Sequence, residues 1–112
     1  MIASSMIELF FFLVLWHVIA DYPLQGDFLS KAKNRNMPIP YVPWYQAMGA
    51  HSLIHAGGVY LITGLWWLGV MEFLIHFYVD DSKCMGRLSF NQDQFFHILC
   101  KFVWVMLVVV TL

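Results

Sequence analysis

The sequence predicts an all-α fold, an integral membrane bundle of four helices running up and down, and three observations carry that prediction. Hydrophobic residues make up 61% of the 112 and charged residues only 12%, where a soluble domain carries about 25% charged. The mean hydropathy is +0.68, although a protein this small has a large surface that water would require to be polar. Finally, the polar residues that interrupt the apolar runs recur four apart, which is a helical period.

The first helix is expected over about residues 4–20 (SSMIELFFFLVLWHVIA), ending at Asp21-Tyr22-Pro23. Its length is near the lower limit for spanning a hydrocarbon core. A cleaved leader is the competing reading. It is disfavoured because no basic residue precedes the run, Glu8 interrupts it, and no small-x-small motif closes it. A polar segment follows from Gln25 to Pro43, with Lys31, Lys33, Arg35 and the prolines Pro38, Pro40 and Pro43. Proline at that density forbids a continuous helix, so this is a basic loop with room for one short interfacial helix near Asp27–Lys33.

Residues 44–79 form one apolar stretch. As a single helix it would overshoot the bilayer by roughly 20 Å at about 1.5 Å per residue. It must fold back, and Thr63-Gly64 is the best breaker, with Trp66 and Trp67 placed for an interfacial belt. Helices two and three are therefore expected at about 44–62 and 65–79. A second polar loop is expected at Asp80, Asp81, Lys83, Gly86 and Arg87. Helix four then runs over about 91–112, with Asn91 as its cap. The chain makes one transmembrane domain.

Five of the six basic residues (Lys31, Lys33, Arg35, Lys83 and Arg87) lie in the one-two and three-four loops. By the positive-inside rule those loops face the cytoplasm, and both termini lie outside an inner membrane. A net charge of -1 gives no field to recruit nucleic acid. Cys84 and Cys100 form no CxxC pair and read as free thiols.

An ionisable group within a membrane segment is costly, so each one is a functional candidate. All five histidines fall in the expected helices, and their spacing is regular. His17 and Asp21, His51 and His55, Glu72 and His76, His76 and Asp80, and Asp93 and His97 are all four apart, hence on one face of their helix. In an up-down bundle these stripes meet at one end. His17, His76 and His97 lie roughly 6 Å inside their flanking Asp, and His51 could join them, with Glu72, His55 and Lys101 deeper at roughly 12 Å or more.

Imidazole with carboxylate is a donor set for a divalent metal, zinc first and manganese or iron as alternatives. The candidate ligands are His17, Asp21, His51, His55, His76, Asp80, Asp93 and His97. They are too many for one tetrahedral ion, so two ions bind or some of these groups move protons and contact substrate. Glu72 and Lys101 are the candidates for acid–base chemistry, Lys101 reading first as counter-charge. Gln25, Lys31 and Lys83 are the candidates for substrate contact from the loops. The bland alternatives are that the histidines are struts between helices and that the boundary Asp residues are caps. Trp16, Trp66, Trp67 and Trp104 read as lipid-facing or belt aromatics.

The series H17-x3-D21-Y22-P23-L24-Q25, Lys31, H51-x3-H55, H76-x3-D80-x2-K83 and D93-x3-H97 resembles the domain-of-unknown-function 3307 family, small membrane proteins of bacteria and their phages. The resemblance covers nearly the whole chain. It implies the helical membrane architecture and singles out the polar set, but it implies no reaction. A looser similarity to membrane-bound metal-dependent hydrolases is one of pattern only.

Four functions compete. The first is a metal-dependent membrane hydrolase acting on a lipid or amphiphile. The others are a metal-ion or proton transporter or sensor, a haem protein, and a non-enzymatic phage or bacterial membrane effector. The partners implied are the bilayer and a lipid-like substrate, with self-association left open and nucleic acid excluded.

Overall fold

The computed structural model describes residues 5–111, so the first four residues and Leu112 lie outside the described residues. Five helices and no strand occur among the described residues. They are α1 (Met6–Asp21), α2 (Gly26–Ala32), α3 (Trp44–Thr63), α4 (Trp66–Cys84) and α5 (Phe90–Thr111). The four long helices correspond to the four expected ones, and α2 is the short helix expected in the basic loop.

Local chemistry explains most boundaries. Ser5 caps α1 by accepting the Glu8 N–H at 3.1 Å. At the other end Tyr22-Pro23 stops the helix, and α2 leaves at 83° to α1. The break between α3 and α4 falls at Gly64, whose φ of +74° is left-handed and whose N–H bonds back to the Tyr60 carbonyl at 2.7 Å. Thr63 assists, since its hydroxyl accepts the Leu65 N–H at 3.2 Å. At the start of α5 the cap is Ser89, not Asn91. Ser89 and Gln92 exchange side-chain-to-backbone hydrogen bonds of 2.9 and 3.1 Å, a capping box that Asn91 cannot form from inside the first turn.

One expected boundary moves by more than a turn. Helix three was expected to end at Val79 with Asp80, Asp81 and Lys83 in a loop, but α4 continues through them to Cys84. The acids do not terminate the helix because they are buried and paired across the bundle, Asp80 with Lys33 and Asp81 with Arg35. Lys83 sits in the last turn, where a cation suits the helix dipole, and also reaches Asp80 at 3.3 Å.

The long helices pack in a closed ring in the order α1, α3, α4, α5, and α2 lies against α3. The bundle is elongated, 46 by 23 by 22 Å. Its two halves differ. An apolar core of Leu9, Leu13, Val59, Ile62, Leu68, Val105 and Val108 fills one end, closed by Trp104. The other end holds the histidines and most of the buried acids. Trp16 is a packing residue, not a belt residue. It lies against Gly58, where a Cβ would come within 1.9 Å of its ring, and donates to the Ile54 carbonyl at 3.1 Å. Trp104 is likewise buried.

Ionisable side chains are buried alongside the apolar core, while many large apolar ones lie on the outside. All five histidines, Glu72, Asp93 and Lys101 are at most 1% exposed, while Ile7, Leu61, Tyr78, Phe95 and Val110 on the long helices are more than 60% exposed. By length and composition alone, one described helix, α5, is long and apolar enough to cross a membrane, and α1 with α2 qualifies only as a bent pair. That is fewer than the four spans expected from sequence. Helix α1 is short at 16 residues, and α4 carries the charges of Glu72, Asp80, Asp81 and Lys83.

Candidate metal centre

Each long helix contributes one stripe to the polar end: His17 and Asp21 from α1, His51 and His55 from α3, Glu72, His76 and Asp80 from α4, and Asp93, His97 and Lys101 from α5. The stripes meet in the bundle interior through the ring and carboxylate contacts between neighbouring helices. The sequence-derived depths need one correction. His55 does not lie a layer below His76, because the two rings stack at 3.7 Å. Side chains lean toward the N-terminus of their own helix. On the antiparallel helices α3 and α4, His55 therefore leans toward the loops and His76 away from them, and the rings converge. His97 stacks on the other face of the array at 4.1 Å from His76, and His51 lies 5.0 Å from His76.

Asp21, His51, His55 and His76 form a group that could hold a metal ion, with one donor atom from each residue and all four within 4.8 Å of one another. A tetrahedral site with bonds near 2.1 Å has donors about 3.4 Å apart, so modest side-chain rotations close the group on an ion. The donors are suited to it. Both ring nitrogens of His51 and of His76 are buried without an aligned hydrogen-bond partner, a costly state for polar atoms in a protein interior. His51 Nε2 lies 3.2 Å from Asp21 Oδ1 and 3.3 Å from Asp80 Oδ2.

Asp21 faces two ways. Its Oδ1 accepts from His55 Nε2 at 2.9 Å, while its Oδ2 accepts from the Gln94 amide at 3.0 Å and lies 3.4 Å from His17 Nε2. Gln94 also donates to Asp93 at 3.1 Å and pairs through its Oε1 with His17 Nε2 at 3.0 Å. Asp93 in turn holds His97 Nε2 at 3.1 Å. Thus His17, Asp93 and His97 surround the four-residue group without belonging to it. Gln94 went unrecognised in the sequence, though its place three residues before His97 sets it on the same helical face.

Asp80 is held from the loop side. Lys33, almost fully buried, donates to its Oδ2 at 2.5 Å and also to Gln25 Oε1. Gln25 is thus joined to Asp80 through Lys33, and Lys83 approaches Asp80 directly at 3.3 Å. Lys31 is exposed, and none of the described ion pairs includes it. The lysine that enters is Lys33, at the C-terminal end of α2. Arg35 braces the same strap with two bonds to Asp81, at 3.0 and 2.5 Å.

Glu72 and Lys101 form a buried ion pair of 2.6 Å below the histidines. An apolar cleft of about 380 Å³ between α3 and α4, lined by Leu53, Gly57 and Trp66, lies on the outer surface and includes no residue of the four-residue group. The described cysteines are free thiols away from the group, as expected.

Fold and site together define a helical protein with a buried His/Asp cluster competent to hold a metal. No family model, curated protein or solved structure matches the chain. The family resemblance stated above therefore rests on the quoted motif alone.

Proposed function

We propose that the protein is an integral membrane protein that binds zinc through Asp21, His51, His55 and His76 and uses it to hydrolyse a lipid or amphiphile at the headgroup level. The observation that carries this reading is the four-residue donor group itself. Three imidazoles and a carboxylate are a donor set for zinc, and they lie in an interior where unpaired polar atoms are otherwise unfavourable.

The exposed apolar side chains on the long helices, around an interior that holds ionisable groups, support a bilayer as solvent. Leaving a Leu or Phe side chain in water forgoes about 1.5–3 kcal/mol of burial, and burying ionisable groups adds a further cost. In lipid the apolar outer surface is favourable and the polar interior is where such residues belong. The 46 Å length suits a bilayer of about 40–45 Å with headgroups. The basic residues Lys33, Arg35 and Lys83 gather at the histidine end, which supports a cytoplasmic orientation for that end and an external one for both termini.

Hydrolysis is favoured over the alternatives by arrangement. A metal held by these four residues would supply Lewis-acid chemistry suited to hydrolysing a carbonyl or phosphoryl ester. Asp21, held by Gln94 and His17, would complete the donor set. Lys83, beside Asp80, would supply a cation for an anionic headgroup, with Gln25, joined to Asp80 through Lys33, as a polar group from the loop. A transport path is disfavoured because the opposite half of the bundle is an apolar core. Haem is disfavoured because the imidazoles stack directly on one another, at 3.7 and 4.1 Å, leaving no gap between them for a macrocycle.

Reconstitution in phospholipid vesicles tests the reading. Zinc-loaded protein should release water-soluble product from an ester or phosphate-ester lipid, stop in chelator, and lose turnover in His51→Ala. Zinc-loaded protein that turns over no lipid of either class would overturn the hydrolase assignment. Release from membranes by alkaline carbonate would overturn the integral membrane assignment.

A further inference from the structure

We infer that Glu72 is a positioning residue for the metal centre, acting through His76, with Lys101 and Trp104 holding its carboxylate in place. The inference rests on the metal-binding reading above. The two carboxylate oxygens of Glu72 have different surroundings. Its Oε1 accepts from Lys101 Nζ at 2.6 Å and from Trp104 Nε1 at 3.0 Å. Its Oε2 is left to His76, whose Nδ1 lies 3.3 Å away. All four residues are at most 2% exposed, so water does not compete for these contacts.

The Glu72 carboxylate, 3.3 Å from Nδ1 and a small ring rotation short of hydrogen-bond alignment, would hold the ring proton there and leave the Nε2 lone pair for the donor group. Metal-bound histidines characteristically have such a partner on the second nitrogen, which fixes tautomer and ring orientation. Here the spacing of four between Glu72 and His76 supplies the carboxylate from the same helix face. Lys101 pairs with the carboxylate from α5 at 2.6 Å and so fixes its position. A purely structural Glu72–Lys101 clasp between α4 and α5 would also explain the 2.6 Å pair. It would not require the second oxygen to face a ligand histidine.

Zinc competition against a chromogenic chelator, with the visible spectrum of the cobalt(II) form, separates the two roles in detergent-purified full-length protein. Glu72→Gln should weaken zinc binding about 10–100-fold and shift the cobalt absorption bands. The double variant Glu72→Gln/Lys101→Met removes both charges. It should melt near the wild-type temperature while keeping the weak affinity and shifted bands. Wild-type affinity and spectrum in Glu72→Gln, or their return in the double variant, would overturn the inference and leave the metal reading intact. Wild-type protein that takes up no zinc would overturn both.

Discussion

Asp21 Oδ1 accepts a 2.9 Å hydrogen bond from His55 Nε2, joining the last turn of α1 to the middle of α3. The contact spans 34 residues and ties two helices that each bring a stripe of donors to the site. Because the other oxygen of Asp21 faces Gln94 and His17, one carboxylate connects the four-residue donor group to the ring of groups around it.

That position makes Asp21 sensitive to loss of charge. Asp21→Asn keeps the shape but removes the anionic donor. It should lower zinc affinity by more than about 100-fold, beyond the range typical of supporting partners. Competition with a chelator of known affinity checks this, and an affinity within threefold of wild type would remove Asp21 from the donor set.

The two strap lysines should behave differently despite lying two residues apart. Lys33 is buried against Asp80, and breaking a buried pair costs about 3–5 kcal/mol. Lys83 still contacts Asp80 at 3.3 Å, so Lys33→Met should cost toward the lower end, about 3 kcal/mol. The exposed Lys31, changed to Met, should alter stability by less than about 0.5 kcal/mol. Thermal melts in the same detergent compare them, and equal losses would contradict the assignment of Lys33 to the site.

Adjacent glycines on α3 give a packing test. A Cβ at Gly58 would overlap the Trp16 ring, whereas one at Gly57 meets nothing within 4 Å. Gly58→Ala should destabilise by about 1–3 kcal/mol through overpacking. Gly57→Ala should be neutral or stabilise by up to about 1 kcal/mol, since Ala is the better helix former. Opposite signs at the two positions are the expected outcome of denaturation measurements.

Much of this arrangement is legible in the residues. The spacing of four among His and Asp marks the inner face of each helix, and Gly64 marks the reversal, because both are local properties of the chain. What spacing does not reveal is which partner an inward group finds. Asp80 and Asp81 read as loop residues until Lys33 and Arg35 are seen across from them. Lys31 and Lys33 are equivalent in sequence, and only the course of α2 decides which is buried. Trp104 reads as a lipid-facing aromatic because nothing local signals that its indole N–H meets Glu72. Counting along a helix axis puts His55 deeper than His76, whereas the lean of side chains on antiparallel neighbours brings the two rings to 3.7 Å.

The most direct measurement is the metal content of the protein purified in detergent after exposure to zinc and extensive dialysis, determined by elemental analysis alongside its His51→Ala variant. The account predicts about one zinc per wild-type chain, little in the variant, and a melting temperature that falls when a strong chelator is added. Wild-type protein that retains no stoichiometric metal, and melts identically with and without chelator, would contradict it.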